Sequence, residues 1–501
     1  MTAPATPAGP GGLSPEESPE ADVAEFEHEF TGARKTPLVV KLLVAATFVV
    51  ILNETIMINA VPTLMEDFRI DERAAQWLST IFMLTMAAVI PVTGWFLQRV
   101  STRSAYATAM TTFAAGTLLA AVAPAFEVLL VARVIQAAGT AVMMPLLMTT
   151  LMTVVAESDR GRVMGQVTLA MSCAPALGPA VSGVLLQLGS WRLIFAVVLP
   201  IAVAVGLFGF RQLENVGEPQ ASSVSWTSVV LAALGFGTLV YGLSEIGSGN
   251  DGTAAYITVG AVLVAAFVGY QLFLQRSDSP LLDLRTLLHR TYATSLLLMA
   301  AGFMAFLGSM ILLPLYLQDP QVRDLSPLQT GLMVMPGGLV MGLMGPQVGK
   351  LYDRFGSRPL VIPGAIGMVG ALVTLAQISL TTPLWLIVAV HIGLMACLAA
   401  IFTPVFTLGL GDLPPQLYSH GSSLLGTLQQ VAGAVGTAVL IVVMSNRSED
   451  LAAGGTPVPE AFVGGLQWAF YGGAIMGVVV VVLALFLPSR VESPAGAPAV
   501  H

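Results

Sequence analysis

The chain has 501 residues, of which 55% are hydrophobic and only 10% charged, and its 29 acidic and 21 basic side chains give a net charge of −8. A soluble domain carries about 25% charged residues, so a packed aqueous core of this length is excluded, in agreement with a mean hydropathy of +0.82. The negative balance also excludes a nucleic-acid partner, because phosphate binding needs clustered basic residues.

Residues 1–37 form a separate region. They hold seven acids, with no Lys or Arg before Arg34, among many Pro, Ala and Gly. That composition predicts a disordered acidic tail. It lacks the basic start and short apolar stretch of a signal peptide, so the first spanning helix is expected to act as the uncleaved insertion signal.

About 20 apolar residues cross a bilayer as a helix. Such runs occur near 38–61, 75–97, 104–123, 128–152, 163–187, 193–210, 226–246, 254–274, 292–317, 328–348, 359–379, 384–407, 420–443 and 466–487. The fold class expected is therefore all-α and integral to the membrane, with 14 transmembrane helices. Orientation follows from the excess of Lys and Arg in cytoplasmic segments. With the N-terminus inside, the inner segments hold 15 of the 21 basic residues, the outer loops 5, and Arg133 lies within a span. Both termini are thus expected in the cytoplasm.

The first run contains "ILNETIMINAVP", with Glu54 as the only Asp or Glu well inside a span. A carboxylate there costs on the order of 3 kcal/mol on insertion scales. Burial disfavours the charged form of a carboxyl, so such a group can exchange protons near neutral pH. One reading is a neutral Glu with a structural role; the other is coupling to a proton gradient. Arg133, at similar depth in the fourth run, either relates to Glu54 directly or through water, or holds backbone carbonyls of neighbouring helices.

Two loops resemble each other. "GWFLQRVSTRS" (Gly94–Ser104) follows the second run and "GKLYDRFGSRP" (Gly349–Pro359) follows the tenth. Aligned on the first Gly, Arg99 matches Arg354 and Arg103 matches Arg358. Internal repeats are characteristic of transporters. An offset of eight spans divides into a six-span unit plus two inserted spans, 226–246 and 254–274. The organisation expected is a tail (1–37), a first six-helix bundle (38–211), a linker with two extra helices (212–291), a second six-helix bundle (292–488) and a cytoplasmic tail (489–501).

At these residues the sequence resembles the major facilitator superfamily, specifically its fourteen-span drug:proton antiporter branch. Gly349, Asp353, Arg354, Gly356 and Arg358 fit the family's G-x-L-a-D-R-x-G-R loop. The first copy departs from it, with Gln98 for the Asp and Ser101 for the Gly, and its "QRxSTR" form resembles the lincomycin-exporter-like subgroup. Arg133 and Gln136 resemble the R-x-x-Q-G pattern, with Gly139 shifted. "APALGPAVSG" (Ala174–Gly183) resembles the antiporter pattern G-x-x-x-G-P-x-x-G-G. "LNETIMINAVP" resembles L-D-x-T-x-x-N-x-A-x-P, with Asn53 in the Asp place. The resemblance implies a major facilitator fold of two six-helix bundles plus two inserted helices.

It also implies gating by Arg99, Arg103, Gly178, Pro179, Gly349, Asp353, Arg354 and Arg358, with the fifth helix packing on the second half. Proton coupling falls to Glu54 and Arg133. The substrate-contacting candidates are Asn53, Asn59, Gln136, Met144, Phe306, Gln429 and Gln430. Met143, Met144, Met148, Met152 and Phe306 are expected to line a cavity, since Met adapts in shape. An amide such as Gln429 or Gln430 needs a partner in a membrane. His391 is expected as a satisfied core residue. Cys173 and Cys397 show no metal or disulfide spacing and are expected to pack.

The function expected is proton-coupled efflux of lipophilic small molecules by alternating access, from the cell membrane, as a monomer and with no cofactor beyond the proton gradient. "GPQVGKL" lacks the leading Gly and the Ser/Thr of a nucleotide-binding loop. Two alternatives remain: a dedicated exporter of one metabolite, antibiotic or lipid, and a membrane-embedded enzyme acting on lipid-linked substrates. The enzyme would need acids or histidines clustered in a sizeable outer loop.

Overall fold

The structure is a computed structural model, and it describes residues 36–70, 72–216, 225–246, 252–277 and 280–490. The acidic tail, positions 218 and 250 in the linker and hairpin loop, and the last eleven residues lie outside them. Among the described residues there is no strand. Lipid leaves backbone groups no partner but each other, so apolar runs of this length satisfy their N–H and C=O groups as helices.

Among the described residues fourteen long helices follow in order: α1 (Leu38–Ile56), α2 (Glu72–Arg99), α3 (Thr102–Ala121), α4 (Phe126–Val154), α5 (Arg160–Leu188), α6 (Arg192–Gln212), α7 (Trp226–Ser244), α8 (Thr253–Leu274), α9 (Arg290–Gln318), α10 (Pro327–Phe355), α11 (Arg358–Leu375), α12 (Leu384–Gly411), α13 (Tyr418–Ala453) and α14 (Val458–Phe486). Thirteen are long and apolar enough to cross a membrane. The exception, α3, is long enough but rich in Thr and Ala. Helix starts are fixed locally. Ser326 and Gln329 form a reciprocal capping box at α10, and Ser101 accepts from Ser104 N–H at α3.

The first span is not one continuous α-helix to residue 61, as the hydropathy alone suggests. It ends at Ile56, passes through a 3-10 turn (Met57–Ala60) and resumes as a short helix, Val61–Phe68. Pro62 lies at the start of that helix, where a missing N–H costs nothing but where the preceding helix is interrupted. Glu54 therefore stands one turn before a break.

Helices α1–α6 pack together, as do α9–α14, and the two groups meet along two seams. One seam is α5 against α10, the other α2 against α13. An offset of eight helices carries α2 to α10 and α5 to α13, so the seams are related by the repeat visible in the loops. The inserted hairpin α7–α8 packs on α2 and, more lightly, on α13. Its helices cross closely at Gly260, where an added methyl would lie 2.6 Å from the Leu239 Cα. Tyr241 stacks on Trp77 of α2, ring centroids 5.6 Å apart.

Candidate transport site and gates

The face that the arginine distribution assigns to the cytoplasm is called inner below. At the inner end of the α5/α10 seam, two glycine pairs bring the backbones together. A methyl on Gly345 would lie 2.6 Å from the Gly165 carbonyl oxygen, and one on Gly349 2.6 Å from the Gly161 carbonyl carbon. Both pairs are spaced small-x-x-x-small, Gly161/Gly165 and Gly345/Gly349, the spacing that lets membrane helices approach. Only Gly349 is singled out by the loop pattern; the four-residue spacing was the signal for the other three.

Asp353 completes this contact. Its Oδ1 accepts from Gly161 N–H and its Oδ2 from Arg162 N–H, each at 2.8 Å. These are unpaired donors at the start of α5, where the helix end favours negative charge. Seven residues beyond Gly161, the hydroxyls of Thr168 and Thr403 meet at 2.8 Å.

The α2/α13 seam closes differently. Thr93 and Ser423 hydroxyls pair at 2.8 Å, and Thr149 of α4 pairs with Ser422 at 2.9 Å. Gln98 Nε2 donates to the Gln416 carbonyl at 3.0 Å. Arg160 Nη2 donates to the Tyr418 hydroxyl at 3.3 Å. These hydrogen bonds between the two halves lie in the inner half of the molecule. Towards the outer end the seam relaxes: a methyl on Gly183 of α5 would meet only Leu328 Cδ1, at 3.8 Å. The halves are closed on the inside.

Arg99, Arg103, Arg354 and Arg358 make contacts within their own half. Arg99 lies over Trp95 and Arg103 over Phe210, 5.9 and 4.3 Å from the ring centroids. Arg358 Nε donates to the Leu487 carbonyl at 2.7 Å. The Arg354 carbonyl accepts from Arg490 at 2.6 Å. Gly178 faces α1 rather than the second half: a methyl there would lie 2.8 Å from Thr55 Cβ. The face of α5 that turns to α10 carries Gly161, Gly165, Cys173 and Ala176 instead. The side chain of Pro179 is outside the described set, as is that of Asn59.

Arg133 is 1% exposed and is held independently of any carboxylate. Its Nε donates to the Leu78 carbonyl of α2 at 3.3 Å and its Nη1 to Gln136 Oε1 at 3.2 Å. Its guanidinium lies 4.2 Å from the Phe82 ring centroid. Gln136 Nε2 in turn donates to Thr117 Oγ1 of α3 at 3.0 Å. Among the described residues no ion pair joins Arg133 to Glu54. Of the two sequence readings of Arg133, the structure shows the hold on a neighbouring helix carbonyl.

Glu54 is partly buried and Asn53 fully so. Both amide atoms of Asn53 lack a partner in this state, as does Gln429 Nε2. A buried amide without partners costs about 1–3 kcal/mol. Met144 and Phe306 are partly buried, and Phe306 stands edge-on to Phe303 and Phe402 at 6.1 Å. Gln430 is partly buried. Met143, Met148 and Met152 are at most 2% exposed and belong to the packed core of α4, not to a cavity lining. His391 is buried as expected, but its Nε2 has no partner. Cys173 packs against Gly342, with its sulfur 2.8 Å from a methyl placed there.

Two helical halves joined by repeat-related seams, closed at one end, with polar groups embedded between them, define a membrane transporter rather than an enzyme. The chain belongs to the Major Facilitator Superfamily, whose family model matches residues 43–437. It is 38% identical over 454 residues to the uncharacterized MFS-type transporter YcnB of Bacillus subtilis, covering 90% of this chain and 94% of that one. It is 37% identical over 473 residues to the lincomycin resistance protein LmrB of Listeria monocytogenes, covering 92% and 99%. A multidrug resistance protein B homolog of Mycobacterium tuberculosis is 29% identical over 418 residues, covering 82% and 77%. Among solved structures, the human organic anion transporter MFSD10 superposes with a TM-score of 0.64 at 16% identity, covering 90% and 100%. The proton:xylose symporter XylE does so at 0.62 and 15%, covering 90% and 95%. At those identities the likeness shows the fold.

Proposed function

We propose that this transporter exports lipophilic small molecules across the cytoplasmic membrane in exchange for inward-moving protons, by alternating access, with both termini in the cytoplasm. The observation that carries the reading is the one-sided closure: the hydrogen bonds between halves gather at the inner ends of both seams, while the outer half of α5 relaxes from its neighbour. Rocking about the middle of the seams would reverse this arrangement.

Glu54 is the proton carrier in this reading. Because Arg133 has its own partners, Glu54 can lose or gain a proton without leaving a buried cation orphaned. Asn53 and Gln429 await a ligand or the other conformation to satisfy their amides. The names of the LmrB and multidrug resistance relatives support drug-like substrates. The experiment is a panel of lipophilic compounds in proteoliposomes holding the purified protein, with and without an imposed pH gradient. Accumulation that depends on the gradient supports export by antiport. Equal accumulation with and without it excludes proton coupling.

A further inference from the structure

The chain that leaves the sixth helix of each bundle turns back onto the inner loop of its own half. Leu213 after α6 and Leu487 after α14 are both buried, and both are extended just past the helix end. In the first half, the Thr102 hydroxyl donates to the Val216 carbonyl at 3.1 Å and accepts from Val216 N–H at 3.2 Å. Asn215 Oδ1 accepts from Arg103 N–H at 3.2 Å. In the second half, the Ser357 hydroxyl donates to the Pro488 carbonyl at 2.6 Å. The alignment of Gly94 on Gly349 places Thr102 on Ser357. The same loop position therefore holds the returning segment in both halves.

The second segment reaches further, with four consecutive residues on the loop between α10 and α11. The Leu487 carbonyl accepts from Arg358 Nε, the Pro488 carbonyl from the Ser357 hydroxyl, and the Ser489 carbonyl from Ser357 N–H at 2.8 Å. Arg490 Nη2 donates to the Asp353 carbonyl at 3.0 Å and the Arg354 carbonyl at 2.6 Å. In a continuing helix the Asp353 carbonyl would accept from Ser357 N–H, four residues on. Here that N–H serves Ser489, and Arg490 takes its place. The last carbonyls of a helix are unpaired acceptors and favour a cation. Gly356 makes the approach possible: its φ is +81°, and a methyl there would run into the Ser489 carbonyl oxygen. The loop copy without the acid has Ser101 at this place, with φ −65°. Asp353 is thus held twice, its carbonyl by Arg490 and its carboxylate by Gly161 and Arg162 N–H across the seam.

We propose that Leu487–Arg490 is a positioning strap of the α5/α10 inner gate, in which Arg490 fixes the end of α10 so that Asp353 presents both carboxylate oxygens to the start of α5. Among the described residues the strap's hydrogen bonds stay within the second half. It acts through Asp353 and not as a further bond between the halves. This inference rests on the alternating-access reading.

The test uses the full chain in nanodiscs. Thr168→Cys, buried at the seam, is labelled with a polar thiol reagent, and the rate is read above that of the chain without it. Arg490 is exposed, so Arg490→Ala should assemble. It is expected to raise the labelling rate about two- to fivefold, and Arg490→Lys to restore most of the closure. Ser357→Ala, which frees the strap at a buried hydroxyl, is expected to raise the rate as well. Added to Asp353→Asn, Arg490→Ala should bring no further increase. Added to Thr93→Ala, which loosens the other seam, it should keep its increment. An unchanged rate in Arg490→Ala, an increment that survives Asp353→Asn, or an increment lost in both backgrounds alike overturns the proposal. The labelling needs no substrate and no proton gradient. The expected pattern in a protein that exports no drug would therefore sink the export reading and leave the strap standing.

Discussion

Asp353 on α10 and Gly161 on α5 are joined by a 2.8 Å hydrogen bond from backbone N–H to carboxylate, and this bond crosses from one half of the transporter to the other. It pairs a charge with the positive end of a helix, an interaction that reaches about 2 kcal/mol in partly buried geometry. Asp353→Asn keeps the shape and removes the charge. The inner-closed state should lose up to about 30-fold in population, and transport should fall. Labelling from the inner side of a cysteine at Thr168, buried across the seam from Thr403, measures the opening. Gln98→Asn should open it less, because it forfeits one neutral, exposed hydrogen bond to the Gln416 carbonyl rather than a charge.

Gly349→Ala tests the backbone contact itself. The added methyl meets the Gly161 carbonyl group, which belongs to a helix and cannot rotate away. The protein should assemble, expose its inner path to labelling and fail to transport. Normal transport in this variant would show that the seam does not need to close this far.

Arg133→Lys separates charge from geometry. The guanidinium serves the Leu78 carbonyl, Gln136 and the face of Phe82 at once, and an ammonium on a flexible stem lacks that planar fork. Loss of one charge-assisted hydrogen bond costs about 1.5–3 kcal/mol, so gradient-driven transport should fall by about tenfold or more. Flux measured at matched protein levels in vesicles checks this.

On the outer face, Asp67 accepts from Trp191 Nε1 at 2.8 Å and from Arg192 at 3.2 Å. The Trp191 bond, then Arg192, holds its carboxyl below the ordinary value of 3.8. A lowered acid contributes stability above its ordinary value and loses it as the pH falls through the lowered one. Trp191 fluorescence should therefore report loosening of this corner only below about pH 4. Asp67→Asn should remove that acid-side transition while leaving the rest of the melting curve intact.

Much of this fold is legible in the sequence because lipid imposes length and polarity directly. The fourteen runs and the repeat pairing Arg99 with Arg354 needed only local pattern. The break after Ile56 was hidden because Met57–Ala60 is as apolar as the helix before it. The hydroxyl pairs Thr93–Ser423 and Thr149–Ser422 were hidden for a different reason: Ser and Thr are common in membrane helices, and what marks these is a partner some 300 residues away. Met143, Met148 and Met152 misled because core and cavity use the same side chain. Gly178 misled because its pattern marks α5 without saying which face of α5 meets which helix.

The proposed proton coupling depends on Glu54. The amide of Glu54→Gln is nearly isosteric with the protonated acid but cannot release a proton, so folding and substrate binding should survive while coupling is lost. The direct measurement is drug uptake into inside-out membrane vesicles under an imposed pH gradient, parent against Glu54→Gln. The variant is expected to equilibrate the drug without concentrating it, and to retain exchange down the drug's own gradient. If Glu54→Gln concentrates the drug at the parent's rate, the proton does not travel on Glu54 and the proposed coupling is wrong.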